Sequence, residues 1–408
     1  MEQANRWRAD FPVLSETVHG KRLVYLDNAA TSQVPTKVLE RLKQHYETEH
    51  ANIHRGIHYL SELSTGAVED ARKKVNDFLN GEASKCVIFT SGTTDSIHLV
   101  SASYRETLYP GQGIMVTELE HHSNYVPWQQ ACKLSGADFY VCPQKDGELD
   151  LDGMEQLLKE HEIALVAAAH VTNLTGTVNS IQEIVKLAHR YGAKVLIDGA
   201  QGILHEGIDV SEADCDYYCF SGHKMLAPTG IGVLYGKSEA LETLQKVRYG
   251  GGMVDLVTQP LTTWASLPHC LEAGTPNISG IIGLGAAIDY IIEHDPLKMR
   301  AWERELLVYA EQELLKIEGL SVMGHPGRRS GALSMDIEGV HPFDLASMAD
   351  KMGVALRSGN LCAQPALASL GYEKAIRLSP AFYNTKEEID QCRKAFERII
   401  PMLRKFAD

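Results

Sequence analysis

"IALVAAAH", residues 163–170, is apolar over almost its whole length, and "KVLIDGA", residues 194–200, repeats that character thirty residues on. A strand buried on one face alternates apolar and polar residues, whereas a continuous apolar run suits a strand covered on both faces. Between the two runs Ile181, Ile184, Val185 and Ala188 recur at the spacing of one helical face. Strand, helix and strand in that order form a parallel crossover unit. Working outward, "CVIFT" (86–90), "GIMVTE" (113–118), "ADFYVC" (137–142), "YYCFS" (217–221) and "GIGVLYG" (230–236) extend the pattern. The reading is an α/β fold with a mostly parallel, seven-stranded central sheet flanked by helices.

The character changes after the Gly-, Thr- and Pro-rich residues 249–280. Trp302, Leu306, Ala310 and Leu314 share a helical face, and in "ALSMDIE" (332–338) Leu333, Met335 and Ile337 alternate like a half-exposed strand. Thr385 and Glu388 have the spacing of a capping box that opens an amphipathic C-terminal helix. We expect a large domain over 22–290 and a smaller α+β domain formed by 291–408 together with 1–21.

Composition narrows the function. The 408 residues carry 39 Lys+Arg against 53 Asp+Glu, a formal net charge of -14. Nucleic acid or an anionic membrane would call for a basic face, so small molecules and proteins are the expected partners. The opening "MEQANRWRADFPVL" has charges and a proline where a secretion signal has its apolar stretch. No apolar run approaches the roughly 18 residues of a membrane span, and a cytoplasmic protein is expected. The eight cysteines show no C-x-x-C and no metal-type pairing with histidine, so neither a metal site nor a disulfide framework is expected. Most should simply be buried, as suits Cys86, Cys142 and Cys392. Cys362, in "LRSGNLCAQP" (356–365), is the one in a loop of turn-forming residues.

Four stretches carry chemistry. In "SGHKMLAPTGIG" (221–232), Lys224 follows a strand beside Ser221 and His223; it reads as a surface lysine or as an amine whose pKa burial and cationic neighbours depress. Asp198 ends an apolar strand, as a helix cap or as a buried carboxylate awaiting a cation. In "FTSGTTDSIHLV" (89–100), the amides of Gly92, Thr93 and Thr94 and the threonine hydroxyls form an ordinary cap or a phosphate cradle at a helix N-terminus. In "ELEHHSNYVPW" (118–128), His121 and His122 follow a strand, as buried structural imidazoles or as groups that stack on a flat cofactor or move protons. Amine, carboxylate, phosphate donors and ring-stacking group, all at strand ends of one α/β domain, make up the set that pyridoxal 5'-phosphate requires.

That set resembles the fold-type I pyridoxal-phosphate enzymes of the class V aminotransferase superfamily. "YLDNAATSQVP" (25–35), "NIHRGIHYLS" (52–61), "HVTNLTGT" (170–177), "EAGTPNISGIIGLGAA" (272–287), "RSGNLCAQP" (357–365) and "IRLSPAFYNT" (376–385) narrow the similarity to the group II, SUF-type cysteine desulfurases and selenocysteine lyases, over essentially the whole chain. The resemblance implies Lys224 as the cofactor-linking lysine and proton shuttle, Asp198 as partner of the ring nitrogen, Gln201 as donor to the phenolic oxygen and His121 as the stacking residue. It assigns the phosphate to Thr93, Thr94, Ser221 and His223, with Thr275 reaching it from the other subunit of a homodimer. Asn173 would lie near substrate and ring edge, Arg377 would clamp the substrate carboxylate, Arg357 would stand beside the nucleophile, and Cys362 would take sulfur from L-cysteine as a persulfide. A SUF-type acceptor serving iron–sulfur cluster assembly would then collect it. Relatives commonly read R-[ST]-G-H-H-C-A; here Asn360 and Leu361 precede the cysteine. The alternatives are a lyase for L-selenocysteine, a desulfinase for cysteine sulfinate and, from another class, a sulfur-relay scaffold with a vestigial cofactor site.

Overall fold

The structure, a computed structural model, describes residues 6–407. The first five residues of the N-terminal segment and Asp408 lie outside the described residues. The seven apolar runs form seven strands: β1 (Val87–Thr90), β2 (Gln112–Thr117), β3 (Asp138–Cys142), β4 (Glu162–Ala169), β5 (Lys194–Asp198), β6 (Tyr217–Ser221) and β7 (Gly232–Gly236). They make one sheet in the order β1-β7-β6-β5-β4-β2-β3. All are parallel except β7, which is antiparallel to both neighbours. A parallel return takes a dozen or more residues, and the connection from Ser221 to Gly232 is shorter, so the chain turns back as an antiparallel neighbour. That short connection carries Lys224.

Parallel strands bring their carboxyl ends to one edge of the sheet. Helix α1 (Thr93–Arg105) starts at the end of β1, with Gly92, which has no side chain to offer, as its cap residue. Ile181, Ile184, Val185 and Ala188 are buried on the helix Ile181–Arg190, which packs against β5. The sheet and these helices enclose the larger apolar core, which also takes in Trp7, Phe11 and Leu14.

A second core lies around a four-stranded antiparallel sheet of β8 (Leu320–Val322), β9 (Leu333–Ile337), β10 (Arg357–Gly359) and β11 (Ala375–Leu378), in the order β8-β9-β11-β10. Val24 and Leu26 join this core from the N-terminal side. The final helix, Lys386–Ala407, opens on the capping box: Thr385 N–H donates to Glu388 Oε2 at 3.0 Å, and Glu388 N–H donates to Thr385 Oγ1 at 3.4 Å. No helix among the described residues is long and apolar enough to cross a membrane.

One glycine holds the site edge together. A Cβ on Gly232 would stand 2.4 Å from the Gly92 Cα, so β7 passes directly over the turn that launches α1. Gly232→Ala must push these backbones apart, and we expect it to lower the unfolding free energy by about 1–3 kcal/mol, measured by urea denaturation, with the larger loss in the β1–α1 turn by hydrogen exchange.

Candidate active site

Strand ends and the loops that follow them enclose a cavity of about 290 Å³. Thr93, Thr94, His121, Asn173, Asp198, Gln201, Ser221, His223, Lys224, Arg357, Cys362 and Arg377 all line it. Thr275 does not: it borders a separate cavity with Asn52, His54, Arg55 and His269.

At the floor, Asp198 ends β5 and is buried, its Oδ1 accepting the Ala200 N–H at 2.9 Å. Loss of water raises its pKa, against the pull of that amide and of Lys224. Lys224 is half-buried, and desolvation lowers its pKa from 10.5 to about 8 despite the opposing pull of Asp198. The turn at the start of α1 supplies hydroxyls. Ser221 Oγ accepts the Thr93 N–H at 2.7 Å and pairs with Thr93 Oγ1 at the same distance, while Thr94 Oγ1 meets Ser123 Oγ. Hydroxyls and uncapped amides at the positive end of a helix make an anion cradle.

His121 sits on one wall. Its Nδ1 accepts the Ser123 N–H at 3.0 Å, which places the ring proton on Nε2. Burial, then Lys224, drives its pKa down to about 3, so the ring is neutral throughout the working range. The turn that carries it hangs on Glu120, a residue the sequence left unassigned. This buried carboxyl accepts from Thr117 Oγ1 at 2.6 Å, Asn124 Nδ2 at 2.7 Å and Ala169 N at 2.8 Å, tying β2 to β4.

Two buried amides each have one end anchored. Gln201 Nε2 donates to Ala29 O and Asn173 Nδ2 donates to Leu361 O, both at 2.7 Å, whereas Gln201 Oε1 and Asn173 Oδ1 have no partner. Arg377, on β11, gives Nη1 to Asn173 O at 2.9 Å and Nη2 to Asp27 Oδ1 at 3.5 Å; its Nε is unpartnered. Desolvation lowers Arg377 to about 10, with Asp27 opposing. Asp27 also takes Arg357 Nη2 at 2.7 Å and thus holds both arginines. It belongs to "YLDNAATSQVP" yet drew no role from the sequence, because its partners lie more than 300 residues away.

Of the eight cysteines, seven are buried and Cys362 alone is exposed, at the cavity mouth. Its loop is unusual in backbone: Leu361 and Cys362 have φ of 52° and 53°. Each such left-handed residue other than glycine costs roughly 1–2 kcal/mol. The two residues that depart from the usual motif help hold this shape. Leu361 is buried in a small apolar cluster with Leu119, Leu174, Met323 and Leu367, and Asn360 Oδ1 accepts the Cys362 N–H at 3.1 Å.

Only the neutral amine reacts with an acylating reagent, so the low pKa of Lys224 has a direct readout. In cofactor-free protein, acetic-anhydride labelling of Lys224 rises with pH through about 8 and levels off, while exposed lysines gain reactivity until above 10. Quantitative peptide mass spectrometry checks this; a Lys224 profile matching the surface lysines contradicts it.

An aminotransferase class-V family model matches residues 24–392. A probable cysteine desulfurase of Halalkalibacterium halodurans is 46% identical over 390 residues, covering 95% of this chain and 96% of that protein. A cysteine desulfurase of Dickeya dadantii is 42% identical, over 98% and 97% of the two chains. Among solved structures, the cysteine desulfurase CsdA (S-sulfonic acid) from Escherichia coli superposes with a TM-score of 0.91 at 38% identity, covering 98% of each chain. Matched by the family model over residues 24–392 and by these relatives over nearly its whole length, the chain belongs to the aminotransferase class-V family, among the cysteine desulfurases.

Proposed function

We propose that this protein is a cysteine desulfurase that uses pyridoxal 5'-phosphate to convert L-cysteine to L-alanine and holds the sulfur as a persulfide on Cys362. The observation that carries the reading is one cavity containing a desolvated amine, a buried carboxylate, a buried guanidinium and the chain's exposed thiol.

The chain's residues fit the cofactor. Asp198 is a buried carboxylate with room for a cationic ring nitrogen, and the hydroxyls of Thr93, Thr94 and Ser221, with His223, line the phosphate end at the α1 N-terminus. The unpartnered amide oxygens of Gln201 and Asn173 leave polar capacity on the same wall, and the second amide hydrogen of Gln201 can meet the phenolic oxygen. The neutral ring of His121 suits stacking on a flat cofactor. Lys224 would hold the aldehyde carbon. Thr275, in its own cavity, would complete the phosphate site of a second copy, which makes the working unit a homodimer. When bound, pyridoxal phosphate supplies an electron sink adjacent to the substrate Cα.

The protein's own groups do the rest. Arg377 presents a fixed fork to the substrate carboxylate, with Asp27 and the Asn173 carbonyl setting its plane. Lys224 Nζ, with its pKa lowered to about 8, would be a base near neutral pH and would take the Cα proton. Cys362 attacks as the thiolate on the substrate sulfur: an S–S bond forms as the Cβ–S bond breaks, and its electron pair stays with the carbon. Protonation of that carbon completes the methyl, and return of a proton to Cα, with Lys224 as the nearby shuttle, completes alanine. Arg357, Arg377 and Lys224 line the same cavity as the thiol. Anchored through Leu361 and Asn360, the loop keeps the persulfide at the cavity mouth, so a cytoplasmic acceptor protein must come to it.

Cys362→Ala should lower sulfide and alanine formation from L-cysteine by about 100-fold or more, and Arg377→Lys should raise KM for cysteine by about tenfold. Steady-state kinetics with cysteine and selenocysteine check both. No sulfide from the unaltered protein, together with selenide release unaffected by Cys362→Ala, would overturn the desulfurase reading in favour of a selenocysteine lyase.

A further inference from the structure

Two adjacent left-handed residues do not hold themselves, and the contacts that hold Leu361 and Cys362 come from outside the loop as well as from Asn360. The Leu361 carbonyl accepts Asn173 Nδ2 at 2.7 Å. The next two contacts both belong to His122: its backbone N–H donates to Cys362 O at 2.8 Å, and its ring Nε2 accepts the Gln364 N–H at 3.1 Å. One residue therefore grips the loop on either side of Ala363, as a donor through its backbone and an acceptor through its ring.

We propose that His122 is the positioning residue of the Cys362 loop, aiming the thiol into the cavity through this two-point grip. The inference rests on the reading of Cys362 as nucleophile. A backbone N–H can be accepted only by a lone pair, so the ring works as the neutral imidazole with its proton on Nδ1. Partial burial lowers the pKa of this ring, in keeping with that state. The grip also joins the two halves of the site. His121 and His122 belong to one turn hung on Glu120, so the ring facing the cavity and the anchor of the thiol loop move together. Asn173 makes the matching link on the other side, since its side chain holds Leu361 O while its carbonyl holds Arg377.

The test uses the cofactor-loaded enzyme and L-cysteine, with mass spectrometry following persulfide formation on Cys362 in a single turnover. Losing the ring acceptor in His122→Ala should slow this step by up to about tenfold, the upper end of the net worth of one hydrogen bond, with KM for cysteine changed less than about twofold. His122→Gln, whose amide oxygen can accept the same N–H, should recover most of the rate. Gln364→Pro removes only the donor, at a helix position that tolerates proline, and should reproduce the defect, with no further loss in the double variant. Without substrate, hydrogen exchange at residues 359–367 should quicken in His122→Ala and Gln364→Pro but not in His122→Gln. A wild-type rate in His122→Ala or Gln364→Pro, or a His122→Gln no better than alanine, would overturn the proposal. An unaltered enzyme that forms no persulfide would instead overturn the functional reading beneath it.

Discussion

Two opposite charges kept from water at the carboxyl ends of the central strands, Asp198 and Lys224, govern the rest of this structure. Neither is comfortable alone: burial raises the pKa of the acid and lowers that of the amine, and their mutual attraction offsets only part of each shift. A fold tolerates such a pair when its backbone gives neither side chain a way out. Here the parallel pairing of β5 and β6, with Asp198 opposite Cys219, places the carboxylate one strand from the turn that carries the lysine. The antiparallel return of β7 then closes that turn, with the backbone contact of Gly232 and Gly92 leaving no slack.

A second constraint joins the small sheet to the large one. Asp27, next to Leu26 of the smaller core, receives Arg357 from β10 and Arg377 from β11, so one carboxylate orients two guanidinium groups of the cavity. Because Asn173, which follows β4, touches both Arg377 and the loop at Leu361, the buried guanidinium and the loop of Cys362 share a support. Arg377 and the Cys362 loop are thus linked through the side-chain amide and the backbone carbonyl of one residue.

Much of this was legible in the amino-acid sequence, for identifiable reasons. The sheet was, because strands covered on both faces need long apolar runs, and the C-terminal helix was, because its capping box is a local signal. The side chains named from the resemblance line one cavity, and Thr275, expected from a second subunit, borders another. What stayed hidden was either too short or non-local. β8 has three residues, too few for alternation to show. Asp27, Glu120 and His122 take their parts from contacts with distant segments, which no window of sequence contains. The left-handed pair Leu361 and Cys362 runs against local preference, which would place Gly or Asn there, and is held by the surrounding contacts. The replacement of the usual motif by Asn360 and Leu361 therefore reads as a different way of anchoring the loop: an amide oxygen on the Cys362 N–H and a leucine in an apolar niche.

The central claim is that Cys362 receives the substrate's sulfur. Its most direct test is peptide mapping by mass spectrometry of the cofactor-loaded protein quenched after a brief exposure to L-cysteine labelled with heavy sulfur. The account predicts one added labelled sulfur on the peptide containing Cys362 and none on the seven buried cysteines. Labelled sulfide in solution with Cys362 unmodified at every time point, or the label on another cysteine, would contradict it.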